Sequence, residues 1–332
     1  MQFALFGGAA APRGPDASDS ARGYHDFVQL HVEAEALGYH ASFVTEHHFT
    51  GLGQISATLT LLAWIAARTR TLRLGTAVLV LPWHNPVLLA EQASTLDLLS
   101  GGRLDLGVGK GYRHSEFAGF ALPPDEADAR FAEALDVMLR ALSSDAPFTH
   151  DGRYWRFGEI MVEPPPCQRP HPPIWLAAGS AASIAEAARR GCNLLLNQFA
   201  SPEEIGDKIA LYRRELEAAG HVFDPMRVGV ARNVWVADSS DETAAAVERQ
   251  AAEHARIGAI SRGAQSRGSH ILAYSSSEGG REAHSLTGTA EEITGKLRAL
   301  QAVGVAYVLL NGLSDRGAFR RFAEQVMPAF QT

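Results

Sequence analysis

Two hydrophobic periods alternate along the chain. Short apolar, β-rich runs are each followed by a stretch in which apolar residues recur every three or four positions. Eight runs predict strands: Phe3–Phe6, Ser42–Glu46, Leu72–Leu81, Leu104–Gly109, Ile174–Ala178, Asn193–Asn197, Val228–Ala237 and Ala306–Asn311. The longer periodic stretches predict helices over Gly23–Leu37, Ile55–Arg68, Pro86–Leu99, Asp128–Leu142, Ala182–Arg190, Glu203–Ala219, Glu242–Ile257 and Ala290–Val303. Pro86 stands where proline is best tolerated, in the first turn. Strands followed by crossover helices make a parallel sheet. Eight such units predict an α/β fold, a TIM (β/α)8 barrel with insertions, in one domain spanning residues 1–332.

Two segments exceed what the barrel needs. Residues 147–173, with the turn-rich PPPCQRPHPP, read as an insertion with little regular structure of its own. Residues 258–285 combine Gly, Ser and Arg without periodicity, and such a loop at the catalytic end of a barrel predicts a mobile lid over a disordered linker. The helix in QISATLTLLAWIAARTR is apolar around most of its circumference. Leu59, Leu62, Ala63 and Trp64 are therefore expected to pack against more than their own sheet, which predicts a homodimer through the helix at 55–68.

Composition narrows the function classes. With 332 residues, 46% hydrophobic and 20% charged, the chain can bury a full core, and a formal charge of −7 offers no field for nucleic acid. Its apolar runs are too short to span a bilayer, and MQFALFGG lacks the basic flank of a signal peptide, so a cytoplasmic location without membrane contact is expected. Cys167 and Cys192 have neither CxxC spacing nor ligand companions, and HExxH is absent, which argues against a disulfide framework or a metal site.

Chemistry concentrates at two strand ends. SFVTEHHF places Glu46, His47 and His48 where a buried strand emerges, and the carboxyl ends of barrel strands carry the chemistry. Neighbouring side chains of a strand face opposite ways, so one histidine faces the barrel interior and the other supports it. The second strand end reads GVGKG: Gly107, Gly109 and Gly111 leave room for a flat ligand and Lys110 supplies a cation. With the eight-strand pattern, EALGYHASFVTEHHF, the stretch Leu72–Phe120, PPIWLAAGSAAS and the closing GTAEEI and GVAYVLLNG resemble the bacterial luciferase-like flavin-dependent monooxygenases, from Met1 to about Met327.

The resemblance implies roles. His47 matches the active-site histidine beside the reactive edge of the flavin, able to give or take a proton. Glu46 would orient it or a backbone neighbour, and Tyr112 is the best candidate among further pocket residues. Ala77 and Val78 match a non-proline cis peptide beneath the flavin ring. Lys110, Arg130, Gly179, Ser180 and Ser183 match the phosphate site, where a strand ending in a Gly-Ser turn opens a helix whose dipole favours an anion. Ser180 equally suits an ordinary helix cap. Relatives often carry arginine at the Lys110 position and another residue at Gly179. Gly109 stands where some light-emitting relatives have a reactive cysteine, so luminescence is not expected.

The resulting reading is a two-component monooxygenase. Reduced FMN from a separate NAD(P)H-dependent flavin reductase would let oxygen be split and one atom pass to a small, mainly apolar organic substrate. The chain has no GxGxxG between a strand and a helix, hence the external reductase. Two alternatives remain open: a deazaflavin-dependent hydride-transfer enzyme of the same superfamily, and a non-catalytic flavin-binding relative.

Overall fold

A computed structural model describes residues 1–11, 17–49, 51, 54–239, 241–248, 252, 284–312 and 316–331. Eight parallel strands close into a ring: β1 (Gln2–Gly7), β2 (Ala41–Val44), β3 (Arg73–Thr76), β5 (Leu104–Gly109), β8 (Ile174–Ala177), β9 (Asn193–Leu196), β10 (Val228–Val236) and β12 (Tyr307–Asn311). Closure comes from β1 pairing with β12, Gln2 opposite Tyr307, and from β9 pairing with β10, Leu194 opposite Val228. All eight strands read from the sequence are in this ring, so the fold is the TIM barrel.

Strand alternation builds two apolar compartments. Inside the ring lie Ala4, Ala41, Phe43, Trp175, Leu195, Ala231, Tyr307 and Leu309. Phe43, Trp175 and Tyr307 meet edge-on or tilted, at 5.5 to 6.1 Å between ring centres. Gly75 makes space for them, because a side chain there would run into the Phe43 ring. Outside the ring, the buried faces of α2 (Thr58–Arg68), α3 (Pro86–Ser100) and α5 (Ala127–Ser143) supply the larger core. Asn85 caps α3 by accepting from the Val87 and Leu88 amides, and Gly101 ends it in the left-handed conformation.

Four departures from the sequence reading bear on the site. The run 72–81 is two pieces, β3 and β4 (Leu79–Val80), broken at the cis Ala77–Val78 peptide that the resemblance implied. A short helix, α4 (His114–Gly119), follows β5 where no element was expected. The insertion at 147–173 does have regular structure, the hairpin β6 (Phe148–Asp151) and β7 (Arg156–Ile160). It folds because Glu133 of α5 accepts from the amides of Arg153, Tyr154 and Trp155, which satisfies the turn from outside the segment. Lastly, β11 (Leu286–Gly288) adds to β10 outside the ring. Most of the expected lid at 258–285 lies outside the described residues.

The amino-end mouth of the barrel is a polar bowl of about 230 Å³. Arg73 and Asp105 pair across it at 2.7 Å, and Trp175 donates to the same carboxylate at 3.1 Å. Among the described residues no helix is long and apolar enough to cross a membrane, and no cluster of three or more His, Cys, Asp or Glu could hold a metal.

Because Phe43 is fully buried at the centre of the ring, Phe43→Ala should cost about 3–5 kcal/mol in urea unfolding. Val222, 81% exposed, is the control, and Val222→Ala should stay within about 0.5 kcal/mol. Equal effects would contradict the assignment of Phe43 to the barrel core.

Candidate active site

At the carboxyl end of β2 the chain leaves the ladder, and two adjacent histidines are taken up by two different carboxylates. Glu46 is 2% exposed. Its Oε1 accepts from His48 Nε2 and His84 Nε2, both at 2.8 Å, and from Trp83 Nε1 at 3.0 Å. Its Oε2 accepts from the Val80 amide at 2.7 Å. Burial alone would raise this carboxyl, but the hydrogen bonds from His48, His84 and Trp83 outweigh it and hold the pKa down to about 2.

Glu46 therefore does not orient His47, contrary to the first of the two roles expected for it; it holds His48 and the backbone of the neighbouring loop. His47 is held by Glu116, a residue that sequence reasoning passed over. Glu116 lies in the first turn of α4, 1% exposed, and its Oε1 stands 3.0 Å from His47 Nδ1 while accepting from the His48 amide at 2.9 Å. The Arg113 guanidinium approaches the same oxygen at 3.8 Å. Burial lowers the His47 pKa; the Glu116 hydrogen bond and the charges of Glu116 and Glu46 oppose this, and Arg113 adds to it. His47 keeps 17% of its side chain exposed.

At the same end of the barrel, the ends of β3, β5 and β8 bring Val78, Gly109 and Ala177 together. The Ala77 amide donates to the Val44 carbonyl, tying the cis segment to β2. A Cβ on Gly109 would lie 2.7 Å from Val78 Cγ2 and 3.8 Å from Ala177 Cβ, so only glycine lets these three strands close up here. A planar group can rest on a floor of such small side chains. Ala77, Val78 and Phe6 each pack against the apolar cluster inside the barrel.

Four of the five expected phosphate residues have partners within the protein. Ser180 caps α6 (Ala181–Arg189) through a reciprocal pair with Ser183, so both serines serve the helix cap. Lys110 pairs with Asp128 at 2.6 Å and Arg130 with Glu126 at 2.8 Å, while the Arg130 guanidinium lies 4.4 Å over the Tyr154 ring. Gly179 is beside Asn197, whose Nδ2 would be 3.8 Å from a Cβ at that position. Tyr112 is half-buried with the Arg113 guanidinium 5.7 Å from its ring, and the contacts seen do not join it to His47.

An aromatic wall borders the histidines. Trp83 stacks on Phe120 at 5.0 Å, and His48 meets Phe49, Trp83 and Phe120. Phe49 has a left-handed backbone, with φ 62, and is 66% exposed, so an apolar surface opens right after His47 and His48. His84 and Phe120 were passed over in the sequence; the signal was the turn LPWHNP and the run HSEFAGF, both inside the densest motif.

Glu46 makes acid stability testable. Its carboxyl falls from an ordinary 4.5 to about 2 on folding, so its contribution is complete above pH 4.5 and is lost as the pH drops towards 2. The amount is on the order of 3 kcal/mol. Urea unfolding at pH 5 and pH 3 should show a steep loss in the native protein and a much shallower one in Glu46→Gln. The same slope in both would remove Glu46 as the acid-sensitive group.

Comparison with known proteins agrees with this geometry. Residues 1–307 match the luciferase-like monooxygenase family. The chain is 26% identical over 349 residues to the oxygenase component of a flavin-dependent trigonelline monooxygenase from Acinetobacter baylyi, covering 99% of this chain and 96% of that protein. It is 32% identical over 252 residues to a 4-hydroxyprotoasukamycin monooxygenase from Streptomyces nodosus subsp. asukaensis, covering 73% and 67%. Among solved structures, monooxygenase RslO1 from Streptomyces bottropensis superposes with a TM-score of 0.84 at 27% identity over the full length of both chains. An F420-dependent secondary alcohol dehydrogenase shares the fold at TM-score 0.79 and 17% identity, covering 100% of this chain and 99% of that one. The eight-stranded barrel and the match over residues 1–307 agree: the chain belongs to the luciferase-like monooxygenase family.

Proposed function

We propose that this chain is the oxygenase component of a two-component monooxygenase, using reduced FMN from a separate NAD(P)H-dependent reductase in the cytoplasm to oxygenate a small, mainly apolar organic substrate. The observation that carries this reading is the presence at the carboxyl end of the barrel of both a small-residue floor at Ala77, Val78 and Gly109 and a histidine, His47, whose Nε2 has no partner among the described residues. The trigonelline monooxygenase relative, matched nearly end to end and named as an oxygenase component, supports the need for a partner reductase.

The residues present fit FMN. Val78 and Gly109 leave a flat floor for a ring system, and the first turn of α6 with Lys110 and Arg130 suits a phosphate. Reduced FMN, when bound, supplies the reactivity towards oxygen. The protein supplies the rest. Ser180 and Ser183 hold the first turn of α6 in place, Lys110 and Arg130 bring positive charge to it, and His47 moves a proton at Nε2 beside the ring. Phe49, Phe120 and Trp83 give an apolar wall for the substrate, and Tyr112 borders the pocket.

We also propose that two copies associate through α2 and α3. Leu62 is consumed by the chain's own core, but Trp64, Leu88, Leu98 and Leu99 stay 57, 52, 44 and 69% exposed on these two helices. Trp64→Glu should shift the protein from dimer to monomer in analytical ultracentrifugation, whereas a monomeric parent protein would end the idea.

Anaerobic titration separates the cofactor readings. Reduced FMN should bind and its reoxidation by oxygen should differ from that of free reduced FMN; tight binding of reduced deazaflavin with no affinity for reduced FMN would favour the hydride-transfer reading. The double variant Lys110→Ala/Arg130→Ala should weaken FMN about thirty- to a thousandfold, each of the two lost charged contacts being worth roughly 1–2 kcal/mol. Riboflavin, which lacks the phosphate, should bind both proteins alike; an equal loss for riboflavin would remove the phosphate assignment.

A further inference from the structure

We propose that Glu116 is a positioning residue that locks His47 in its Nδ1–H form, leaving Nε2 as a proton acceptor towards the pocket. The chemical use of that acceptor rests on the proposed function above; the lock itself does not.

A neutral imidazole carries one N–H, and the bond made by one nitrogen decides which of the two bears it. His47 Nδ1 faces Glu116 Oε1 at 3.0 Å. That oxygen also accepts the His48 amide proton at 2.9 Å, and a carboxylate oxygen has lone pairs but no proton to give, so opposite it Nδ1 is the donor. Nε2 has no hydrogen-bond partner among the described residues, and the exposed 17% of the side chain leaves it reachable. Burial lowers the His47 pKa, which favours the neutral ring with a lone pair on Nε2.

The surroundings of Glu116 are built for one geometry. Its carboxylate is 1% exposed, and Arg113, 3% exposed, stands behind it. Burial of a carboxylate is tolerated only where donors converge on it, and here two of the donors are the ring of His47 and the backbone of His48. The ring cannot turn over without leaving Oε1 short of a partner. Glu46 faces His47 only through space, since its own bonds go to His48, His84, Trp83 and Val80.

The chemical consequence has a direction. An O–H or N–H group in the pocket can pass its proton to Nε2, giving an imidazolium whose charge the Glu116 carboxylate stabilises across the Nδ1–H bond. The proton returns from Nε2 when the reaction closes, so the ring ends as it began. His47 is thus a base first and an acid only afterwards. A carboxylate behind a histidine plays the same orienting part in other base-catalysed sites.

Nitrogen-15 NMR of histidine-labelled protein without cofactor tests the lock, with the His47 signals assigned by their absence in His47→Asn. The native protein should show a protonated Nδ1 and a bare Nε2. Glu116→Gln keeps an oxygen acceptor and should keep that tautomer, but loss of the negative charge should lower the His47 pKa. Glu116→Leu should release the ring to a mixture of tautomers. Native tautomer and pKa retained in Glu116→Leu would overturn the proposal; should that variant not fold, an unchanged pKa in Glu116→Gln would do the same. With reduced FMN added, Glu116→Gln should move the pH profile of flavin reoxidation to lower pH while the Kd for FMN holds. Failure of FMN to bind would count against the monooxygenase reading and leave the NMR result standing.

Discussion

The carboxyl mouth of the barrel is organised by the need to satisfy one carboxylate that water cannot reach. Ionised and buried, Glu46 would be several kcal/mol too costly unless donors met nearly every lone pair. Four do, and they come from separate pieces of chain: the ring of His48 two residues on, the Val80 amide of β4, and the side chains of Trp83 and His84 in the turn before α3. Moving any one of them strands part of the charge at a cost of roughly 1–3 kcal/mol. The loop that follows the Ala77–Val78 peptide is therefore fixed relative to β2 by hydrogen bonds as well as by packing. Together with the Ala77 amide bond to the Val44 carbonyl, that constraint fixes Ala77 and Val78 relative to the end of β2.

Two adjacent histidines end up with opposite jobs for the same reason. His48 spends its Nε2 on Glu46 and packs its ring among Phe49, Trp83 and Phe120. His47 spends Nδ1 on Glu116 and keeps Nε2. Alternation along a strand was enough to predict that the two would separate into one site residue and one supporting residue. It could not say which carboxylate served which ring. Glu46 is next to His47 in the sequence, but its side chain leaves the other side of the chain, and the partner His47 does find is 69 positions away in a six-residue helix. Apolar periodicity cannot register a helix that short.

The barrel itself was legible because its strands are buried on both faces and its helices on one, two patterns with different periods. Seven of the eight strands were read to within two residues at either end on that basis. The hairpin of β6 and β7 was not, because the bonds that stabilise its turn come from Glu133 on α5, outside the segment. The break in the run 72–81 was invisible to periodicity for a different reason: Leu79 and Val80 continue the apolar run of β3, and only the family resemblance pointed to the cis peptide at Ala77–Val78. Leu62 shows the limit of reading a helix as a surface. Apolarity around the whole of α2 left open which side the fold would use, and Leu62 went inside while Trp64 stayed out.

On the proposed reading, the phosphate side of the site is cheap to open. Lys110 and Asp128 form an ion pair with side chains 54% and 80% exposed. Pairs of that kind contribute about 0–1 kcal/mol, so exchanging Asp128 for a phosphate loses little and gains a stronger charge. Arg130 is less free, at 20% exposure with Tyr154 beneath it and Glu126 beside it, and suits the part of a fixed cation better than Lys110 does. The serines are different again. Ser180 and Ser183 donate and accept within their own cap, so their hydroxyls already have work. What the first turn of α6 has to offer an anion is its backbone: the Ala181 and Ala182 amides have no acceptor within the helix. The capping serines then contribute by holding those amides in place, which reconciles the two roles that Ser180 could have played.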